Sequence, residues 1–352
     1  ISRLLVETLH EKKKTSATTK RIRRKATDEQ NQALEEFESA HDGQDKQIPA
    51  QAFVRAMRGC NNFCAFCIVP YVRGPEVSRP PNVILEQIRK LADRGVKQVT
   101  LLGQTVNSYR YEKDGKTWSL ADLLGAASDI GGIEWIKFVT SYPSQEFFDD
   151  ILRVMADSPK VCEYLHLPAQ SGSDKILRAM NRHYSSRQYM ELLDRARAVV
   201  PGIAVAGDFI VGFPGETDED FQATVDLVEK ARYKNAFIFK YSPRPGTAAD
   251  KRLQDTVPAD VKQRRNAELL AVQERISGEL SRDFLGQQVK VLVEGLSKKS
   301  HVNVDVDQNP QLVGRTAGEW IVVFNGPDSL TGTFAQVKIT SVSPLTLFGR
   351  LT

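Results

Sequence analysis

Residues 52–67 read "AFVRAMRGCNNFCAFC", a β-type apolar run that stops at three cysteines, Cys60, Cys64 and Cys67. A strand that ends directly in polar chemistry places that chemistry at its carboxyl end, where open parallel sheets carry their sites. The chain has four cysteines in all, the fourth being Cys162. Three clustered thiols are an odd number for a disulfide framework and one short of a closed, four-coordinate zinc site. Thiolates at this spacing can each bind one iron of a four-iron cluster, which leaves the fourth iron open to a small chelating molecule. The competing reading is zinc, with Cys162 or His166 as the fourth ligand.

Working outward, β-rich and helical segments alternate, which is the pattern of parallel βα units. Strands are expected at 52–58, 97–103, 135–142, 163–170, 204–213 and 236–242. Helices are expected at 82–94, 119–129, 144–156, 174–199 and 218–231. Six such units are too few for a closed eight-stranded barrel, so the fold class is α/β, a partial (βα)6 barrel open at one side. Residues 258–285 read as a long helix with a packing stripe at Leu269, Val272, Ile276, Leu280 and Phe284. After Gly286 come "QVKVLVEG", "WIVVFNG", "FAQVKITSV" and "LFGRL" between turn residues, which implies a small five-stranded barrel. The division expected is 1–49, 50–285 and 286–352.

Composition excludes little beyond extremes. Hydrophobic residues make up 41% and charged residues 26%, near the averages for globular proteins. No apolar run approaches the roughly 18 residues that a membrane span requires, and few clustered cysteines argue for the cytoplasm. A net charge of +4 by itself implies no nucleic-acid partner. Residues 12–25 are basic and 28–45 acidic, a pattern of solvated linker or of an RNA-touching arm. The chain starts at Ile1 and its first 48 residues hold one short apolar pattern, which reads as the remnant of a missing upstream domain. Residues 286–352 carry six basic and five acidic residues, so any grip on RNA there depends on a local patch such as Lys298 and Lys299.

Strand ends carry the remaining candidates. Gly103 and Gly212 permit close approach of a ligand to backbone, and Gln104 and Gln170 offer amides suited to a ribose or an amino acid. Asp208 shares strand parity with Ile210 and Gly212, so it serves either a structural hydrogen bond or a cofactor. "GFPGET" (212–217) is a turn or a ligand loop. Arg79 and Arg244 flank prolines, where a guanidinium could hold an anion or lie on the surface. Cys162 and His166 are most simply packing residues.

The spacing Cys60-x-x-x-Cys64-x-x-Cys67, with Phe66 before the last cysteine, resembles the radical S-adenosylmethionine (SAM) signature. "GCNNFCAFCIVPYVRGPEVSRPP", "LLGQTVNSY", "LHLPAQSGSDKIL", "DFIVGFPGET" and "YSPRPGTAA" resemble, in order, the motifs of the MiaB-type tRNA methylthiotransferases, and residues 286–352 resemble a TRAM domain. The resemblance covers residues 50–352. It implies a 4Fe-4S cluster on Cys60, Cys64 and Cys67, with SAM on the open iron and its adenine near Phe66, and Gly103, Gln104, Gln170, Asp208 and Gly212 as further cofactor-binding candidates. It implies radical methylthiolation of carbon 2 of isopentenyladenosine beside the anticodon of tRNA, driven by a flavodoxin- or ferredoxin-type electron donor. It also implies a second 4Fe-4S cluster on an N-terminal domain, for which this chain has no cysteines. It names no catalytic residue. Methylthiolation of threonylcarbamoyl-adenosine or of a ribosomal protein, and a non-catalytic zinc-containing RNA-binding protein, are the alternatives.

Overall fold

The computed structural model describes residues 50–144, 148–298 and 309–352. β1 (Gln51–Arg55) opens the sheet. The expected strand 52–58 divides there, because beyond Ala56, whose N–H still donates to Leu102, β2 (Met57–Arg58) turns away to pair with β3 (Val77–Ser78). The four-residue α1 (Val69–Val72) lies between them. α2 (Pro81–Asp93) starts on a proline whose missing N–H costs nothing at that position, and it buries Ile84, Leu85 and Ile88.

β4 (Gln98–Leu102) follows, then a hairpin that alternation had not suggested, β5 (Arg110–Lys113) and β6 (Lys116–Ser119). Ser119 and Asp122 form the capping box of α3 (Leu120–Ser128). β7 (Trp135–Val139), α4 (Phe148–Asp157) and β8 (Tyr164–His166) come next. The expected helix 174–199 is two helices, α5 (Asp174–Ala179) and α6 (Ser186–Val199). Asn181 at φ +58° ends the first, a left-handed stop that asparagine tolerates. β9 (Ala204–Val211), α7 (Asp218–Ala231) and β10 (Asn235–Lys240) complete six parallel strands. The short α8 (Ala248–Arg252) and long α9 (Ala259–Arg282) then lead away.

The strands form two parallel triplets, β1-β4-β7 and β8-β9-β10. They are joined by the bridge of Ile136 to Val161. β1 and β10 are therefore the margins of an open half-barrel. The last five strands close into a barrel in the order β11-β12-β13-β15-β14: β11 (Gln288–Leu296), β12 (Gln311–Arg315), β13 (Ile321–Asn325), β14 (Phe334–Val342) and β15 (Thr346–Leu351). β12, with Gly314 in a run of five, is the strand that the sequence pattern had not located.

The small barrel sits against the amino-terminal end of the half-barrel. Trp135 at the start of β7, Cys162 before β8 and Leu292 of β11 are buried together, and Phe334 stands edge-on to Trp135 at 4.7 Å. Lys137, only 3% exposed, pairs with Glu319, which Arg315 also reaches at 3.2 Å. Lys234 donates to the carbonyl of Glu319 at 2.6 Å, and burial pulls its ammonium down to about 8. Removing one partner of a buried pair leaves an uncompensated charge. Glu319→Ala is expected to lower unfolding stability by about 3 kcal/mol, read as a lower urea midpoint. Lys137→Met in the same background should recover part of the loss; a stability unchanged by Glu319→Ala would show that the pair does not anchor the small barrel.

Candidate functional site

The three-cysteine loop lies at the opposite, carboxyl-terminal end. Ala65 donates to Met180 and accepts from Ala249, each at 2.8 Å. Asn181 Nδ2 donates to the carbonyls of Asn62 and Phe63, at 3.1 and 2.9 Å. The left-handed turn that breaks α5 from α6 thus also clamps the loop. Cys60 and Cys64 are buried and Cys67 is half-buried. Burial pushes the Cys60 thiol up to about 11 and raises Cys67 as well. Loading the loop with metal therefore releases protons at Cys60 and Cys67.

A buried cation stands against the loop. Arg182 is buried, with Nη1 on Cys64 Sγ at 3.4 Å, Nε on the Tyr184 hydroxyl at 2.8 Å and Nη2 on the Pro168 carbonyl at 3.0 Å. Its guanidinium lies 4.4 and 5.0 Å from the ring centroids of Tyr142 and Tyr184. No carboxylate pairs with it among the described residues. Asn62 Nδ2 points at Cys60 Sγ from 3.6 Å. A buried cation with a thiol for its counterpart fits a site where thiolates and an anionic iron-sulfur group are the missing charge. Cys162 is packed at the far end of the barrel, and His166 is bonded to Asp208, so the fourth ligand that a zinc reading needs is not beside this loop.

The remaining candidates separate into a mouth and a deeper layer. Phe66 packs with Ile176, Met180, Phe213 and Tyr241, which brings the loop against the "GFPGET" turn. Gln104 and Gln170 have no side-chain hydrogen bond among the described residues, so their amides are open to a ligand; Gln170 adopts φ +70°. A Cβ at Gly103 would lie 2.6 Å from Met57 Cγ, and one at Gly212, where φ is +70°, 2.3 Å from Lys262 Cγ. The Gly212 N–H is spent on Glu216 at 2.6 Å, so the geometry gives this glycine a turn. Asp208 accepts at 3.2 Å from His166 below the mouth. Arg79 is buried and donates to the Arg55 carbonyl and to Gln87, at 2.7 and 2.9 Å. Arg244 is exposed, and its charge draws the Cys67 thiol back down. A groove of about 470 Å³ opens beside Asn61 and Asn62, between Glu76, Thr105, Tyr142 and His183.

Arg182 and Asn181 were missed in the sequence because both fell inside the expected helix 174–199. The motif "MNRHY" (180–184) held the signal, an asparagine able to stop a helix. Lys262 and Arg265 were missed likewise under a packing stripe. Both are buried: Lys262 binds Asp255 at 2.6 Å, and Arg265 binds Glu216 at 2.8 Å.

The family model of the radical SAM superfamily matches residues 54–228. The chain belongs to the radical SAM superfamily. The TRAM domain model matches residues 282–352. Relatives include two proteins named tRNA-2-methylthio-N(6)-dimethylallyladenosine synthase. That of Rhodopirellula baltica is 48% identical over 90% of this chain and 66% of its own length. That of Carboxydothermus hydrogenoformans is 48% identical over 82% and 63%. The chain spans about two thirds or less of the length of the curated relatives it matches. Coproporphyrinogen III oxidase from Escherichia coli, a solved radical SAM enzyme, is 15% identical with a TM-score of 0.48 over 94% of this chain and 75% of that one. The superfamily implies a 4Fe-4S cluster and SAM.

Cys60→Ala, Cys64→Ala and Cys67→Ala are each expected to abolish iron retention after anaerobic reconstitution, and Arg182→Ala to weaken it. Cys162→Ala should keep about four irons per chain. Loss of iron in Cys162→Ala as complete as in Cys64→Ala would overturn the three-ligand assignment.

Proposed function

We propose that this chain is the radical SAM and TRAM portion of a tRNA methylthiotransferase, one that adds a methylthio group to carbon 2 of N6-isopentenyladenosine beside the anticodon. The observation that carries the reading is the shared name of relatives 44–48% identical over 82–90% of the chain. Beside it stands a thiol loop at the carboxyl ends of a half-barrel, backed by a buried, uncompensated Arg182.

In this reading Cys60, Cys64 and Cys67 hold the cluster, which when reduced supplies the electron that cleaves SAM homolytically and so opens a route to an unactivated C–H bond. Arg182 keeps negative charge at Cys64 and fixes the loop through Pro168. Gln104 and Gln170 bind the polar groups of SAM at the strand ends, and Phe66 lies along its adenine. Gly212, held by Glu216, Lys262 and Arg265, shapes the turn behind that pocket. Gly103 serves by letting the loop after β4 pack on Met57. The half-barrel excludes water from the reacting carbon once RNA covers its open side. The TRAM barrel docks tRNA, a flavodoxin- or ferredoxin-type protein donates electrons, and the reaction takes place in the cytoplasm. Among the described residues no helix is long and apolar enough to cross a membrane. The boundaries 1–49, 50–285 and 286–352 remain the proposed division.

Sulfur is assigned to a second 4Fe-4S cluster, held outside residues 1–352, since the four cysteines here provide one set of three. The test separates the half-reactions. Residues 1–352, anaerobically reconstituted and reduced with SAM, should form 5′-deoxyadenosine but no methylthiolated tRNA. Absence of 5′-deoxyadenosine from a four-iron preparation would overturn the SAM assignment. Robust methylthiolation with one cluster per chain would overturn the second-cluster assignment.

A further inference from the structure

Three adjacent strands bring together a set of side chains that the mouth does not use. Phe209 and Val211 of β9 are fully buried under the helices, so alternation turns Asp208 and Ile210 to the concave side of the sheet. Register places Phe237 beside Asp208 and Phe239 beside Ile210. Both rings are about half exposed, at 51% and 55%. His166, the last residue of β8, meets Asp208 with Nε2 3.2 Å from Oδ1, and its ring stands edge-on to Phe237 at 6.3 Å. From the opposite margin Phe53 of β1, 71% exposed beside fully buried Val54, faces the same concave space.

Depth decides what this set can meet. Asp208 precedes Gly212 by four residues, about 13 Å down the strand at ~3.3 Å per residue, and His166 precedes Gln170 by the same number. The set therefore lies below the Gly212 turn, with His166 deepest and Asp208 level with Gln170, whose N–H donates to the Asp208 carbonyl at 2.7 Å, and its side chains on the concave face touch what is inserted into the lumen. A flat aromatic face next to an acceptor is the chemistry that reads an extruded base: the ring stacks and the polar group takes a hydrogen bond from the base edge.

We infer that Phe237, Asp208 and His166 form the floor of the substrate-base pocket and select a purine whose N6 substituent is apolar. The inference rests on the tRNA-modification reading above and adds its specificity. The base stacks on Phe237, its N6–H donates to Asp208, oriented by His166, and the substituent lies against Phe239 and Ile210. The same arrangement disfavours an N6-threonylcarbamoyl group, because that group would bring its own carboxylate against Asp208 and two phenyl rings. Unmodified adenosine keeps the hydrogen bond and loses the apolar contact.

The test uses the reconstituted protein with three anticodon stem-loops, carrying isopentenyladenosine, adenosine or threonylcarbamoyl-adenosine, and reads the RNA-stimulated formation of 5′-deoxyadenosine. The wild type should prefer the isopentenylated RNA. Phe237→Ala should raise the KM for that RNA about tenfold, the scale of one lost base stack, while the KM for SAM moves less than twofold; Phe237→Tyr should restore it. Should Phe237→Ala fail to fold, Phe237→Leu reads the same loss with the core volume kept. Asp208→Asn should narrow the preference over the threonylcarbamoyl RNA. A wild-type response to the isopentenylated RNA, unaltered in KM and preference by the Phe237 and Asp208 changes, overturns this inference and leaves the parent reading standing. A wild type that answers none of the three RNAs overturns both.

Discussion

A guanidinium buried without a carboxylate is the constraint around which the carboxyl-terminal end is arranged. Arg182 lies between two tyrosine rings and against a cysteine thiol, and an isolated buried charge is costly unless an opposite charge sits beside it. Against it the chain sets the Cys64 sulfur at 3.4 Å, in a loop whose other two thiols, Cys60 and Cys67, resist ionisation through burial. An anionic iron-sulfur group bound at those thiols would set a negative charge beside the buried guanidinium. The residues that fix the geometry are those flanking the arginine: Asn181 clamps the cysteine loop and Met180 receives the Ala65 amide. Loop, helix break and cation are one unit.

The opposite end solves a different problem. A half-barrel exposes an apolar foot as well as a mouth, and the small barrel closes the foot with Trp135, Leu292 and Phe334. Glu319 sits at the centre of that contact at φ +64°, a backbone state that costs a side chain of this kind on the order of 1 kcal/mol. Lys137, Arg315 and Lys234 converge on it and offset the strain. α9 links the two ends physically. Its amino-terminal half carries Lys262 and Arg265 under the Gly212–Glu216 turn, while Leu280 near its end packs on the small barrel. The Gly212–Glu216 turn and the TRAM barrel therefore hang on one helix.

Most of the architecture was legible because it follows from periodicity. Six strands, their helices and the terminal barrel all announced themselves through alternation, helical spacing and glycine or proline punctuation. The cysteines were legible because three thiols at that spacing have few other uses. What was not legible is tertiary. The pattern of 174–199 is helical throughout, and the one residue that breaks it, Asn181, does so by a backbone state that composition permits without requiring. Lys262 and Arg265 continue the packing stripe of Leu269 and Val272 at helical spacing, and a charge there is tolerated only through Asp255 and Glu216, which approach from other elements. Asp208 had the right parity, but its place level with Gln170 and its bond to His166 could be seen only in register.

The two ends also restrict the route of a substrate. With the foot sealed by the small barrel, a base can reach the lumen only through the mouth or through the gap between β1 and β10. Phe53 and Phe237 lie on the two margins of that gap, both exposed. An RNA gripped by the TRAM barrel at the foot would have to run along the gap to present a base at the mouth, a distance set by strands of five to eight residues. Few charges are needed for such a path. A nearly balanced small barrel and a chain of net charge +4 suit a partner held by shape and one inserted base more than by general attraction to phosphate, since counterion release scales with the number of phosphates contacted. In the proposed pocket the aromatic margins would act before the chemistry, favouring entry of a flat apolar group and placing it over Asp208.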